Sequence, residues 1–219
     1  MPTMERSERD TTDRKSMKDR KDQRDRRDTE DQKEAKEVEE ATKITVRAGR
    51  LDDVPLILGM FDSGVAWLVA QGRTRQWGPT PWSANPRAVA MVERFVTEGA
   101  PFIAEYEGVP AATLTLTDAP GPYVRPADEP ERYIHILASD RRFKGRGAGA
   151  ALLAHAAEET RRCGISLLRV DCYAGDDRKL VAYYERHGFT PTESFTVGRD
   201  AWPGQTEESW PGQVLARRV

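Results

Sequence analysis

The 219-residue chain has only two cysteines, Cys163 and Cys172, too few for a disulfide framework or a cysteine zinc site. Its three histidines are scattered and lack HExxH spacing, so no metal centre is expected. No apolar run approaches the roughly 20 residues of a membrane span, and no apolar stretch of the secretory type stands near the N-terminus. Charge of one sign is not in excess either. Against 34 Lys and Arg stand 36 Asp and Glu, a net charge of −2, so bulk electrostatics gives no drive toward nucleic acid. Aromatic residues are missing from residues 1–43, where 13 basic and 14 acidic side chains are interleaved. A soluble, cytoplasmic protein with no nucleic-acid or membrane partner is the expectation.

What is present divides the chain in two. Residues 1–43 have no apolar periodicity and no heptad seam, and read as a disordered charged tail. Residues 44–219 hold all five Trp and enough apolar material for one core. Their pattern predicts a strand at Ile44–Arg47 and, after start signals at Asp52 and Asp53, a helix to about Ala70, with Val54, Ile57, Leu58, Phe61, Val65 and Leu68 on its buried face. A Gly- and Pro-rich loop follows at Gln71–Trp82. A second helix is capped by Ser83 or Asn85, with Pro86 in its first turn. A hairpin turns at Glu107-Gly108, and a loop occupies Asp118–Glu131. Next come a strand at Arg132–Ser139, a helix from Ala148 to Arg162, a buried strand at Leu167–Cys172, a helix ending at Arg186 and a strand at Phe189–Val197. Gly198–Gly212 reads as irregular and Gln213–Arg217 as a last strand. The order predicts a mixed α/β (α+β) sandwich, mostly antiparallel, with a parallel strand–helix–strand crossover at Arg132–Cys172.

The crossover carries the most informative segment, Phe143-Lys144-Gly145-Arg146-Gly147-Ala148-Gly149-Ala150, between a buried strand and a helix start. Three alternating glycines admit close backbone approach, and the helix start offers unpaired N–H groups and a positive dipole end. Arg141, Arg142, Lys144 and Arg146 add countercharge. This is a diphosphate cradle, but neither GxxxxGK[ST] nor GxGxxG is present.

The segment resembles the GNAT superfamily of acyl-CoA-dependent N-acetyltransferases, with its [QR]xxGxG[AG] motif read onto Lys144–Ala150 and a Lys in first place. The YExxGF signature of that family is matched by Tyr184-Glu185-Arg186-His187-Gly188-Phe189, and Asp176 stands where an Asn is usual. The resemblance covers about 155 residues of the chain, from Ile44 to about Val197. It implies a GNAT-like sheet with a splayed parallel strand pair. The backbone of Leu137 and Ser139 would pair with the pantetheine of acetyl-CoA, and the amides of Gly145, Arg146, Gly147, Ala148, Gly149 and Ala150 would hold its diphosphate. Tyr184 would protonate the leaving thiolate.

His135, central on the strand before the turn, is a candidate base for the acceptor amine, and the same imidazole could equally be structural. Glu105 competes for that role. The resemblance makes the loop with Trp77 and Trp82 the wall of the acceptor pocket, whereas a plain reading has both indoles capping the core. Asp118, Asp128, Glu129 and Glu131 would form an acidic rim suited to a cationic amine. The expected activity is acetyl transfer to a primary amine of a small molecule. The rivals are a peptide or protein acceptor and a non-catalytic acyl-CoA-binding module. The sequence leaves a homodimer open.

Overall fold

The computed structural model describes residues 43–175, 177–198, 203, 205 and 208–219. The expected tail, apart from Lys43, and Asp176 lie outside the described residues.

Strand β1 (Ile44–Ala48) leads through a 3-10 turn at Leu51–Asp53 into helix α1 (Val54–Val69). All six residues expected on the inner face of α1 are buried, because spacings of three and four keep them on one stripe. Helix α2 (Pro86–Glu98) starts where the Asn85 side chain accepts from the Arg87 N–H, with Pro86 following. Strands β2 (Ala100–Tyr106) and β3 (Val109–Thr117) meet at Glu107 and Gly108, with φ of 51° and 78°, which suits the twist of a two-residue hairpin. Then come β4 (Glu131–Ser139), helix α3 (Ala148–Arg162), β5 (Leu167–Tyr173), helix α4 (Lys179–Arg186), β6 (Thr190–Gly198) and β7 (Ser209–Arg218).

The seven strands form one mixed sheet in the order β1-β2-β3-β4-β5-β7-β6. Only β4 and β5 are parallel. Helices α3 and α4 cover one face over Leu114, Leu116, Ile134, Leu168, Val170 and Leu215. Helices α1 and α2 cover the other over Ile103 and Ala138. This is the expected α/β sandwich.

The C-terminal edge departs from expectation. Strand β7 begins at Ser209, takes in Trp210-Pro211-Gly212, and inserts between β5 and β6. Pro-Gly signals a turn, but here the glycine serves close approach. A Cβ on Gly212 would lie 2.3 Å from Cζ of Phe195 on β6.

Two irregularities open the sheet at its centre. The parallel pairing runs from Glu131↔Leu167 to Ile134↔Val170 and goes no further. Just beyond, Ile136 takes a φ of 45°. Thr113 faces Ala138 while Thr115 faces His135, so β4 holds one extra residue there, a bulge. Consecutive residues then share a face: His135 stacks on Phe95 of α2, and Ile136 packs in the core beneath α1 and α2.

Candidate active site

Beyond Ile134 the two parallel strands part, and a cleft enters between them. Ile134, His135, Ile136 and Leu137 of β4 line it, as do Val170, Asp171, Cys172 and Tyr173 of β5. The Asp140 N–H donates to Ala111 O on β3 at 2.9 Å. Backbone groups alternate along a strand, so those of Leu137 and Ser139 turn away from β3, toward the gap.

The turn after β4 is built to hold its shape. Asp140 caps a 3-10 turn at Arg141–Phe143 by accepting from the Arg142 N–H, and it also pairs with the Arg142 guanidinium at 2.7 Å. Ser63 of α1 donates to Asp140 and accepts from the Arg141 N–H. Gly145 and Gly147 have φ of 80° and 81°, which L side chains adopt only with strain, and the space a Gly145 Cβ would enter is open. Gly147 caps α3. The Arg146 N–H is spent on Phe143 O, which removes it from the expected cradle. The amides of Gly145, Gly147, Ala148, Gly149 and Ala150 have no backbone partner among the described residues. Gly149 is required by Tyr183, whose hydroxyl would stand 2.7 Å from a Cβ there.

The residue identities also allow the motif a frame two residues earlier. Arg142-Phe143-Lys144-Gly145-Arg146-Gly147-Ala148 satisfies [QR]xxGxG[AG] directly, with Arg142 in first place and Lys144 inside the motif. Lys144 and Arg146 are exposed, Lys144 Nζ 5.8 Å above the Trp67 ring and the Arg146 guanidinium 5.5 Å above that of Tyr106. Arg141 lies 3.8 Å over Trp67. Open amides at a helix start, basic side chains and a gap with unpaired strand backbone fit the diphosphate and pantetheine of an acyl-CoA.

Tyr184 of α4 is 4% exposed and lines the cleft from the α3–α4 side, in edge contact with Phe189. Burial, and beyond it the nearby Cys172, Tyr183 and Asp171, push its phenol well above the usual range. His135 reaches the cleft from the opposite face. Its Nε2 donates to Ala119 O at 3.3 Å, which leaves Nδ1 as the acceptor. Burial, which outweighs the Ala119 bond, and the charge of Arg94 push its pKa down to about 4. His155 and His187 sit on Phe102 and Tyr183, away from the cleft lining.

Trp77 and Trp82 both line the cleft, and both also pack the core. Trp82, 3% exposed, stacks on Phe61 at 4.2 Å and donates Nε1–H to Trp77 O. Trp77 presses on Gly64 of α1, where a Cβ would meet its ring at 2.4 Å. Their loop is tied to the far side of the cleft twice, through Arg73 to Asp177 at 3.1 Å and through Gln76 O to Trp210 Nε1 at 3.1 Å.

Several expected groups are placed elsewhere. Glu105 is not part of the cleft; it is ion-paired with Arg47 at 2.7 Å, and Arg47 also holds Asp53. The acidic rim does not form. Glu131 is buried against Arg169, while Glu129, Asp118 and Asp128 pair with Arg218, Arg132 and Arg125. The carboxylate that does line the cleft is Asp171, which sequence reasoning passed over. Its signal was a charged residue within the buried run Leu167-Leu168-Arg169-Val170-Asp171-Cys172.

A split between two parallel strands, facing the N-terminus of a crossover helix behind a basic glycine turn, defines an acyl-CoA-dependent N-acyltransferase. The chain belongs to the acetyltransferase (GNAT) family, whose model matches residues 68–189, more than half of its length. It is 28% identical over 151 residues to YesJ of Bacillus subtilis (strain 168), an uncharacterized N-acetyltransferase, covering 63% of this chain and 77% of YesJ. A crystal structure provisionally identified as a phosphinothricin N-acetyltransferase superimposes with a TM-score of 0.58 and 22% identity, over 80% of this chain and 98% of its own. RimL, a ribosomal L7/L12 α-N-protein acetyltransferase solved with coenzyme A, superimposes with a TM-score of 0.55 and 18% identity, over 81% and 95%. Among the described residues no helix is long and apolar enough to cross a membrane, and no cluster of three or more metal-ligating side chains occurs.

Proposed function

We propose that the protein transfers an acetyl group from acetyl-CoA to a primary amine of a small molecule, with Tyr184 as the proton donor to the departing thiolate. The observation behind the small acceptor is the doubly tied Trp77–Trp82 loop. It roofs a narrow cleft, with a cavity volume of about 100 Å³, where a peptide would need an open groove. The names of the relatives do not choose, since one is called after phosphinothricin and another after a ribosomal protein.

Acetyl-CoA supplies the activated acyl thioester. The open amides at Gly145 and Gly147–Ala150 hold the diphosphate, with Arg142, Lys144 and Arg146 around them, and Leu137 and Ser139 pair with the pantetheine. This places the thioester near the parting of β4 and β5, between Tyr184 on one face and the acceptor on the other. A phenol held protonated by burial donates its proton only as negative charge collects on the sulfur. His135 is poorly matched to a base role, because a pKa near 4 gives little drive to take a proton from an ammonium.

Thiol release from acetyl-CoA, measured against a panel of primary amines and a panel of peptide N-termini, tests the proposal. Turnover of amines above peptides is expected, and preferential turnover of peptides would overturn the small-molecule assignment.

A further inference from the structure

Asp171 is unusual in its setting. It follows Val170, the last residue of β5 paired to β4, so it stands where the parallel strands part. Val170 packs beneath α3 and α4. Strand alternation turns Asp171 to the opposite face, the side of His135 and the Trp77–Trp82 loop. One oxygen, Oδ1, accepts from the hydroxyl of fully buried Tyr133 on β4 at 2.8 Å. Among the described residues no ion pair reaches the carboxylate, although Arg169 is two positions away. Arg169 is turned to Glu131 at 3.0 Å and Glu193 at 2.7 Å. Six aromatic side chains line the cleft, Phe61, Trp77, Trp82, Phe95, Tyr173 and Trp210, among aliphatic ones such as Met91, Ile136 and Leu180. A single carboxylate among aromatic and aliphatic walls is the recognition chemistry of an organic cation on an apolar body, by charge pairing and apolar contact together.

From this juxtaposition we infer that Asp171, oriented by Tyr133, receives the acceptor as an ammonium and takes its first proton, and that the acceptor is a primary amine on an apolar or aromatic body. The inference rests on the acetyltransferase reading above and deepens it. The proton balance closes. R–NH3⁺ gives one proton to the Asp171 carboxylate, and the freed nitrogen lone pair forms the N–C bond to the thioester carbonyl. The C–S bond then breaks as Tyr184 protonates the sulfur. The second proton of the nitrogen restores Tyr184, and the carboxylic acid returns its proton to solvent. Burial also raises the affinity of Asp171 for a proton, with Tyr133 and Arg169 opposing. Tyr133 on β4 and Arg169 on β5 face it, His135 of β4 stands on the same side against Tyr133 with Arg94 of α2 beyond it, and Cys172 on β5 and Tyr184 on α4 lie on the other face of the sheet.

The test compares wild type, Asp171→Asn and Tyr133→Phe in the full chain. Thiol release is followed from pH 6 to 9.5 with 2-phenylethylamine, short alkylamines and peptides, and acetyl-CoA affinity is measured separately. Asp171→Asn should lose about 10²–10⁴-fold in kcat/KM at pH 7 with acetyl-CoA affinity unchanged, and the deficit should shrink at high pH as free amine accumulates. Tyr133→Phe removes a donor to the charged form, so the acidic limb of the pH profile should move to higher pH, a change that a merely structural tyrosine would not cause. Aromatic amines should outpace short alkylamines. An Asp171→Asn protein with wild-type kcat/KM and an unchanged profile overturns the inference. If wild type prefers peptides, the small-molecule reading fails alone, and the same comparison on the peptide α-amine still decides Asp171. A wild-type protein that neither binds nor acetylates any member of either panel overturns both.

Discussion

Two side chains on opposite faces of the split sheet invite separate substitutions. Tyr184→Phe keeps the buried ring in contact with Phe189 and removes the proton donor alone. We expect kcat to fall by about 10²-fold, the lower end for an acid group because a thiolate leaves readily, with acetyl-CoA affinity unmoved. Pre-steady-state and steady-state thiol release together check this, since a wild-type kcat with chemistry limiting would remove Tyr184 from the mechanism. His135 carries a different signature. Its folded pKa is pushed down to about 4, below the value of about 6.5 for the unfolded chain, so the unfolded state binds the extra proton. Stability from this group is full above about pH 6.5 and is lost as pH falls toward 4, by at most roughly 3 kcal/mol. Urea midpoints of wild type and His135→Gln at pH 7.5 and 5 should show the wild type losing more on acidification. Equal losses would mean the ring is more open to solvent than its stacking on Phe95 implies.

At the scale of elements, the helix starts were legible because Asn85-Pro86 and the glycine turn state their chemistry locally, and α3 begins at Ala148 as read. The frame of the motif was missed although the residues state it, since three alternating glycines offer two registers and Arg142, not Lys144, meets the Gln/Arg position, with left-handed φ at Gly145 and Gly147 in agreement. Asp171 was passed over because burial among Leu167, Leu168 and Val170 reads as strand core, and nothing local tells which face opens on a cleft. Glu105, Glu129 and Glu131 looked available because their arginine partners are distant in sequence, whereas Asp128 pairs with Arg125 only three positions away. Arg47 stands 58 residues from Glu105. The cradle makes its own prediction. Gly147→Ala forces an L residue into a left-handed cap, a cost of roughly 1–2 kcal/mol, and re-aims the amides of Ala148 and Gly149. Calorimetric titration should show acetyl-CoA affinity falling at least tenfold in a protein that still folds; unchanged affinity would clear this turn of any part in binding.

For the whole molecule, the layered α/β sandwich followed from the pattern of periodicities, whereas the strand order at the C-terminal edge did not, because a Pro-Gly pair imitates a turn. Gly212→Ala tests the correction. A methyl group 2.3 Å from the Phe195 ring forces that ring out of its place over β7, at about 1–3 kcal/mol, and Phe195→Leu in the same chain should restore part of the loss in melting temperature. Residues 1–42 are proposed to be dispensable for folding, since their composition gives them nothing to bury. Deleting them should leave stability within about 0.5 kcal/mol, read by thermal melting.

The strand order also governs how the protein comes into being. During synthesis β5 emerges long before β7, the strand that will stand between it and β6. Until Ser209–Arg218 has left the ribosome, one whole edge of β5 and the matching edge of β6 expose bare backbone donors and acceptors, the condition under which nascent chains pair with the wrong neighbour. Completion of this sheet therefore waits on β7, and the β5 wall of the cleft that holds Asp171 gains its second neighbour only when that strand inserts.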